Sequence, residues 1–399
     1  MTEVSEAELL ILERVPTLDT LTISLADALG TVLRQNVFAD RDHPPFHRVT
    51  MDGIAIAYQD WGAGKSTYQV LGIQGAGMPP MKLTETGQCV EIMTGAVLPE
   101  GADAVIPIER VKIKDSKAKI DPDTSITERQ FIHSRGSDCV AGSQLIHTGS
   151  RVGPKEIAVL ASAGYVQVTV SRLAKVAVIS TGDELVDAEG PVKPHQIRST
   201  NGRAIEASLA QHQLAQTTRV RLKDDRKKML NSIRALHHDN DFLILSGGVS
   251  MGKYDFVPAV LEELGVNLVF HRIEQRPGRP MWFGVSDESK LVFALPGNPV
   301  STLVCLTRYV LPALRQALGL KPANNQTVTL GKDVEFSANL TYFLPVKLNF
   351  SGKGLGIALP RPTNTSGDFL SLADTDGFVQ LPKEQSRFKK GTTATFFRW

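Results

Sequence analysis

The chain has 399 residues, 42% of them hydrophobic and 22% charged, and a formal net charge of +2. That length suggests two to four domains with ample core, and the near balance of basic and acidic residues excludes the global basic field of a nucleic-acid binder, so any charge that matters is local. Cys89, Cys139 and Cys305 are widely spaced with no C-x-x-C pair, which argues against a disulfide framework or structural zinc and fits a reducing cytoplasm; an acidic start and no run of about 18 apolar residues argue against a signal peptide and a membrane span.

Over residues 5–15 and again over 24–35 apolar side chains recur at helical spacing, and Ser24 with Asp27 has the form of a capping box, so the pattern predicts two amphipathic helices. In DRDHPPFHRVTMDGIAIAY the pair Pro44-Pro45 breaks helicity, after which Ile54, Ile56 and Tyr58 alternate as in a strand. Short strands and glycine turns continue to Ile146, predicting a β-rich module of about 100 residues. Pro154 then opens and Gly164 closes a helix, followed by a strand over residues 166–170.

Beyond Arg172 the rhythm changes. Strand candidates at 175–180, 217–222, 241–246, 266–273 and 291–295 alternate with helices beginning near Asn201, Asp224, Asp255 and Asn298, which predicts βαβ units and a parallel sheet covered on both faces. Such sheets bind ligands beyond the carboxyl ends of their strands, and four loops leave those ends: 180–185, 223–225, 246–255 and 295–301. After Gly319 the helical period vanishes, and residues 323–399 read as a small all-β domain.

The loops carry residues suited to anions and cations. Ser246, Gly247, Gly248 and Ser250 form a glycine loop between a buried strand and a helix start, a geometry that points backbone N–H groups at an anion; Asp255 either caps that helix or faces the ligand. Pro296, Gly297, Asn298 and Pro299 form a second such start, with Asn298 as N-cap and Pro299 at the first helical position. Asp183, Glu184, Asp224, Asp225 and Asp255 would make an acidic rim that needs a cation, and hard oxygen ligands favour Mg²⁺; either Asp224 or Asp225 could instead cap a helix. Arg272, Arg276 and Arg279 surround a Pro-Gly turn suited to oxyanions. Asp52 and Thr94 carry no signal by spacing alone. No H-E-x-x-H and no G-x-S-x-G is present, so chemistry would rest on metal and electrostatics.

These stretches, in order, resemble the MoeA family of molybdopterin molybdenumtransferases, which includes the C-terminal part of gephyrin: PPF at 44–46, MDG at 51–53, MTGAVLPEGADAV at 93–105, RGSD at 135–138, STGDEL at 180–185, SGGVSMG at 246–252, RPGRP at 276–280, LPGNPVS at 295–301 and SGDFLSLADTDGF at 366–378. The resemblance implies a multidomain α/β plus β fold: a discontinuous helix and strand linker domain (1–41 and 143–172), a β-rich insertion or lid (42–142), an α/β molybdopterin-binding domain with a parallel or mixed sheet (173–322) and a C-terminal all-β domain (323–399). It also implies a cytoplasmic homodimer with a composite site, in which molybdate enters adenylylated molybdopterin with Mg²⁺ assisting and AMP leaving. By matching motif, Asp52, Thr94, Glu184 and Asp255 would be catalytic. Asp138, Ser246, Gly247, Gly248, Ser250, Arg276, Arg279, Pro296, Gly297, Asn298 and Pro299 would bind substrate, and Glu184, Asp224, Asp225 and Asp255 the metal.

Where the family usually has lysines in its KPGKP motif this chain has Arg276 and Arg279, and the usual SAMDGYA here reads VTMDGIA. Three alternatives stand beside this reading: a molybdopterin adenylyltransferase, which the β insertion and C-terminal domain oppose; a gephyrin-like scaffold with a vestigial site; and tungstate insertion. A molybdopterin adenylyltransferase and molybdoenzyme-maturation proteins are the partners the resemblance suggests, with neither nucleic acid nor membrane.

Overall fold

The computed structural model describes residues 1–249, 256–322, 326–352 and 354–399. The chain divides into two units: Met1–Gln35, Thr148–Gly153 and Gln167–Trp399 in one, Asn36–His147 and Pro154–Val166 in the other.

The first unit is built on a six-stranded sheet in the order Ala215–Leu222, Ala174–Thr181, Phe242–Ser246, Leu291–Leu295, Trp282–Ser286, Val266–His271. Its first four strands run parallel, and all five residues of Phe242–Ser246 and of Leu291–Leu295 are buried. Alternate side chains explain why. Val176, Val178, Phe242, Ile244, Phe293 and Leu295 enter one core, with Ile205 and Leu209 of the helix Asn201–Gln211. Ala177, Ile179, Leu243, Leu245, Val292 and Ala294 enter the other, with Met229, Ile233, Val257 and Val260 of the helices Arg226–Asp239 and Val257–Glu263. Burial on both faces is what turns these strands into unbroken apolar runs.

The strand and helix alternation predicts the parallel part of this sheet, and at one side the sheet is mixed, as the family resemblance allows. Val266–His271 is antiparallel to Trp282–Ser286, which is itself antiparallel to Leu291–Leu295. A tight turn joins the last two, with Ser286 N–H donating to Lys290 O, and such a connection is too short for the crossover that a parallel pair requires. The sheet is therefore mixed.

The helix expected over residues 24–35 is also absent. Ser24 Oγ donates to Asp27 Oδ2 at 2.7 Å, but only a 3₁₀ turn, Leu25–Asp27, follows. The chain then reverses at Gly30, and Val32 and Leu33 bridge to Arg151 and Val170. Their apolar side chains are buried by strand-like pairing. The expected first helix forms as Val4–Leu12, and the strand near 166–170 forms as Gln167–Ser171, paired with Thr20–Ser24.

The C-terminal strands form a second six-stranded sheet in the same unit, in the order Gln275–Arg276, Thr341–Phe350, Gly356–Pro360, Gln326–Leu330, Thr393–Arg398, Gly377–Leu381. Thr341–Phe350 also pairs with Gly377–Leu381, which closes five of these strands into a small barrel around Val346, Ala358, Val379 and Phe396. The short strand Gln275–Arg276 comes from the α/β part and pairs with Thr341 and Tyr342. It carries the arginine turn onto the barrel's edge.

The second unit is β-rich, as its short strands and glycine turns predict. Its main sheet has the order Ala104–Pro107, Gly53–Ile56, Gln88–Ile92, Thr67–Gln74, Lys117–Ile120, Val111–Lys114, around Ile54, Ile56, Tyr68 and Ile106. The helix Pro154–Ser162 belongs to this unit.

Candidate active site

The four parallel strands end along one edge of the sheet, where their loops open onto a cavity of about 1310 Å³. Its lining includes Thr181, Gly182, Glu184, Asp224, Ser246, Gly247, Gly248, residues 275–280 and 296–299, and, from the barrel, Tyr342, Phe343, Pro345 and residues 363–367. One wall is thus polar loop, and the barrel wall sets Tyr342, Phe343 and Pro345 beside the polar residues Thr363, Asn364, Thr365 and Ser366.

The glycine loop is shaped by close packing. Gly247 has φ +98°, and a Cβ there would lie 2.7 Å from Thr181 O, so only glycine fits. Ser246 is buried; its Oγ accepts from Asn201 Nδ2 at 2.8 Å, and the same Nδ2 reaches Gly297 O at 2.8 Å. Asn201 therefore ties the Ser246 loop to the Gly297 loop. Thr181 Oγ1 is buried with no hydrogen-bond partner among the described residues. Ser250 and Asp255 lie outside the described residues.

The second helix start differs in detail from expectation. Asn298 is the N-cap of Pro299–Cys305, but its side chain makes no cap bond and instead donates to Ser366 Oγ at 2.7 Å. Val300 N–H donates to Ser366 O, so this helix end is partly closed by the segment around Ser366. Pro296, Gly297, Asn298 and Pro299 still line the cavity.

The paired aspartates separate by role. Asp225 caps Arg226–Asp239, its Oδ1 accepting from Lys228 N–H at 3.1 Å, and that bond holds its carboxyl below the usual range. Asp224 lines the cavity with Glu184. Backbone N–H groups of Asp183 and Asp224 each point at the other's carboxylate, at 3.4 Å, which holds the two loops together. Among the described residues no group of three or more acidic, histidine or cysteine side chains is gathered as for a metal. Two carboxylates nonetheless suit Mg²⁺, which is commonly held by one or two carboxylates together with substrate phosphate oxygens.

Arg276 and Arg279 flank the turn at the cavity's edge, both exposed. The Arg276 guanidinium lies 6.0 Å from the Phe336 ring centre, and Phe336 stacks on Tyr342 at 4.2 Å. Burial pushes the Tyr342 phenol up, against the opposing pull of Arg276. Arg272 is not part of the lining.

Asp52, Thr94 and Asp138 belong to the second unit. Asp52 Oδ1 accepts from Thr94 N–H at 2.6 Å and from its hydroxyl at 2.8 Å; these two bonds, the N–H first, hold the carboxyl below its ordinary range. Asp138 Oδ1 lies 2.8 Å from His133 Nε2, and His133 Nδ1 lies 3.0 Å from Arg48 Nη2.

Sequence reasoning missed Asn201, Thr181, Gln275, Arg198 and Tyr342 as lining residues. Asn201 could have been suspected, because it opens a helix that the sequence predicts. Thr181 lies in the 180–185 loop and Gln275 directly before the arginine turn, so their neighbourhood was marked, whereas Arg198 and Tyr342 carry no local signal.

Three family models match successive stretches of the chain. The model of the MoeA N-terminal region (domain I and II) matches residues 2–164, that of the "Probable molybdopterin binding domain" residues 177–316, and that of the MoeA C-terminal region (domain IV) residues 327–399. A protein of Synechocystis sp. named molybdopterin molybdenumtransferase is 37% identical over 385 residues, covering 96% of each chain. One of the same name from Staphylococcus epidermidis is 30% identical over 383 residues, covering 93% of this chain and 89% of the relative. A solved molybdopterin biosynthesis MoeA protein of Pyrococcus horikoshii matches 100% of this chain and 99% of its own, with a TM-score of 0.83 at 30% identity. By sequence, domain order and fold, the chain belongs to the MoeA family.

Proposed function

We infer that the chain is a molybdopterin molybdenumtransferase, which passes molybdenum from molybdate to the dithiolene of adenylylated molybdopterin and releases AMP. The observation that carries this is the meeting, in one cavity, of two carboxylates, a glycine loop and an arginine turn. Those are the parts that a reaction of an oxyanion with a phosphate-bearing pterin requires.

Within the cavity, Arg276 and Arg279 would bind molybdate by charge-assisted hydrogen bonds and hold it against the pterin. The Gly247 N–H already donates to Leu295 O, so the Gly248 N–H, with the Thr181 hydroxyl that has no partner among the described residues, would bind phosphate oxygens. Tyr342, Phe343 and Pro345 of the barrel would pack against the flat ring and orient it. Glu184 and Asp224 would hold Mg²⁺, which when bound would neutralise charge on the phosphate link.

Further parts of the reading rest on the family likeness. The protein works as a cytoplasmic homodimer of four-part subunits, divided at residues 1–41 with 143–172, 42–142, 173–322 and 323–399. Asp52, Thr94 and Asp138 of one subunit act with the cavity of the other, and Asp255 completes the acidic set. A molybdopterin adenylyltransferase supplies the substrate, and molybdoenzyme-maturation proteins receive the product.

Incubation with adenylylated molybdopterin, Mg²⁺ and molybdate or tungstate tests the function. AMP release in step with metal appearing on the pterin is the expected result. Folded protein that releases no AMP with either oxyanion would overturn the reading in favour of a scaffold.

A further inference from the structure

Gln275 stands directly before the arginine turn and is fully buried, although its amide must satisfy both donors and an acceptor. Burying such a group costs free energy unless hydrogen bonds compensate. Its Nε2 donates to Pro277 O at 3.0 Å, and its Oε1 accepts from the Tyr309 hydroxyl at 2.5 Å. Tyr309 is itself buried, in a π-helical turn, Leu306–Val310, between the helices Pro299–Cys305 and Leu311–Ala317. Cys305 Sγ lies 3.6 Å from Gly278 O.

The turn is therefore gripped from behind at two successive carbonyls. There is no slack in the grip: a Cβ on Gly278 would lie 2.5 Å from Gln275 Nε2 and 2.6 Å from Cys305 Sγ. On the other side of the turn Arg276 rests over Phe336, while the strand pairing of Gln275 with Thr341 and of Arg276 with Tyr342 fixes the entry of the chain. The strand pairing holds the entry of the turn, and the Tyr309-to-Gln275-to-Pro277 relay adds a side-chain hold on the turn's own backbone.

We propose that Gln275 and Tyr309 are positioning residues for oxyanion binding, holding the Pro277-Gly278 turn so that Arg276 and Arg279 converge on one anion. This rests on the reading that those arginines bind molybdate. A guanidinium forms its paired hydrogen bonds only in a narrow range of directions, so a turn free to rock would weaken anion binding without touching the pterin wall.

The experiment compares Tyr309→Phe, which removes one hydroxyl and keeps the ring, with the double variant Gln275→Met/Tyr309→Phe, which removes both polar partners so that neither is left unpaired. KM for molybdate and for adenylylated molybdopterin are measured separately, beside Arg276→Ala and Arg279→Ala. The expected result is a rise of about tenfold in the molybdate KM with the pterin KM unchanged, and no further rise when Tyr309→Phe is added to Arg276→Ala/Arg279→Ala. If the arginine variants raise the molybdate KM while Tyr309→Phe and the double variant leave it unchanged, the positioning role is overturned and the arginine reading stands. Should the arginine variants leave it unchanged too, both fall. Parallel rises in both KM values, or full additivity with the arginine changes, would mark a merely structural role and overturn the proposal.

Discussion

The Oδ1 atom of Asp52 accepts two hydrogen bonds from Thr94, 2.6 Å from the backbone nitrogen and 2.8 Å from the hydroxyl, joining residues 42 apart in the chain. This pair is the meeting point of the MDG and MTGA motifs. Both donors favour the ionised carboxylate, so Asp52 titrates below an ordinary aspartate. The linkage follows: the stabilisation is present above the unfolded pKa, about 3.9, and is lost as pH falls through the lower folded value.

Thr94→Val removes the hydroxyl and keeps the N–H. The Asp52 titration midpoint, followed by carboxyl-carbon NMR, should rise without reaching the ordinary value. A midpoint unmoved by the substitution would mean that the hydroxyl bond contributes nothing.

Asp224 and Asp225 should respond oppositely. Asp225→Ala removes the cap of Arg226–Asp239 and should lower the thermal unfolding midpoint while leaving AMP release near wild type. Asp224→Asn should leave the midpoint near wild type and depress Mg²⁺-dependent AMP release at least tenfold, by removing charge from the cavity. Unfolding scans beside assays at varied Mg²⁺ would expose a reversed assignment.

At the opposite edge of the same sheet, Arg172 makes paired bonds to Asp241 at 2.6 and 2.8 Å, and Asp241 also accepts from Lys175 N–H at 2.8 Å. Burial pushes the Asp241 carboxyl up, but the Arg172 bonds, the Lys175 N–H bond and the charges of Arg172 and Lys175 together outweigh it and the net shift is downward. Asp241→Asn should cost about 2 kcal/mol of stability, less than a fully buried pair because both side chains keep some contact with water. The wild-type advantage should shrink in acid, as pH falls through the depressed folded pKa. Denaturant unfolding at neutral and acid pH reads this, and kcat should not change, since the amino edge is remote from the cavity loops.

Much of this was legible in the chain because local and tertiary demands coincide there. Residues 242–245 are apolar without interruption because both faces of their strand are covered, and Gly247 follows the buried Ser246 because no side chain fits against Thr181. Residues 24–35 misled for the opposite reason: Val32 and Leu33 fall at helical spacing, yet their burial comes from bridges to Arg151 and Val170, far along the chain. The strand Trp282–Ser286 was hidden behind the arginine turn that leads into it. Within the site, motif order located the loops, whereas the bonds of Asn201 to Gly297 O and of Tyr309 to Gln275 join positions far apart in the chain that no spacing rule contains. The division between Asp224 and Asp225 required the helix cap itself.

The proposed composite site makes a prediction about mixed dimers. Asp52→Ala and Asp224→Asn should each inactivate a homodimer. If the two residues act in trans, random re-association of equal amounts should restore about a quarter of wild-type sites, because half the dimers are mixed and each holds one intact site under two-fold symmetry. Exchange is verified by mass and recovery by AMP release. Confirmed exchange without recovery would contradict a trans site.

The most direct test of where the oxyanion binds is anomalous diffraction from crystals soaked in tungstate, collected at the tungsten absorption edge. A peak is expected in the cavity within hydrogen-bonding reach of Arg276 or Arg279, lost in Arg276→Ala/Arg279→Ala. A peak that persists in that variant, or one that lies outside the cavity with none inside it, would contradict oxyanion binding at the arginine turn.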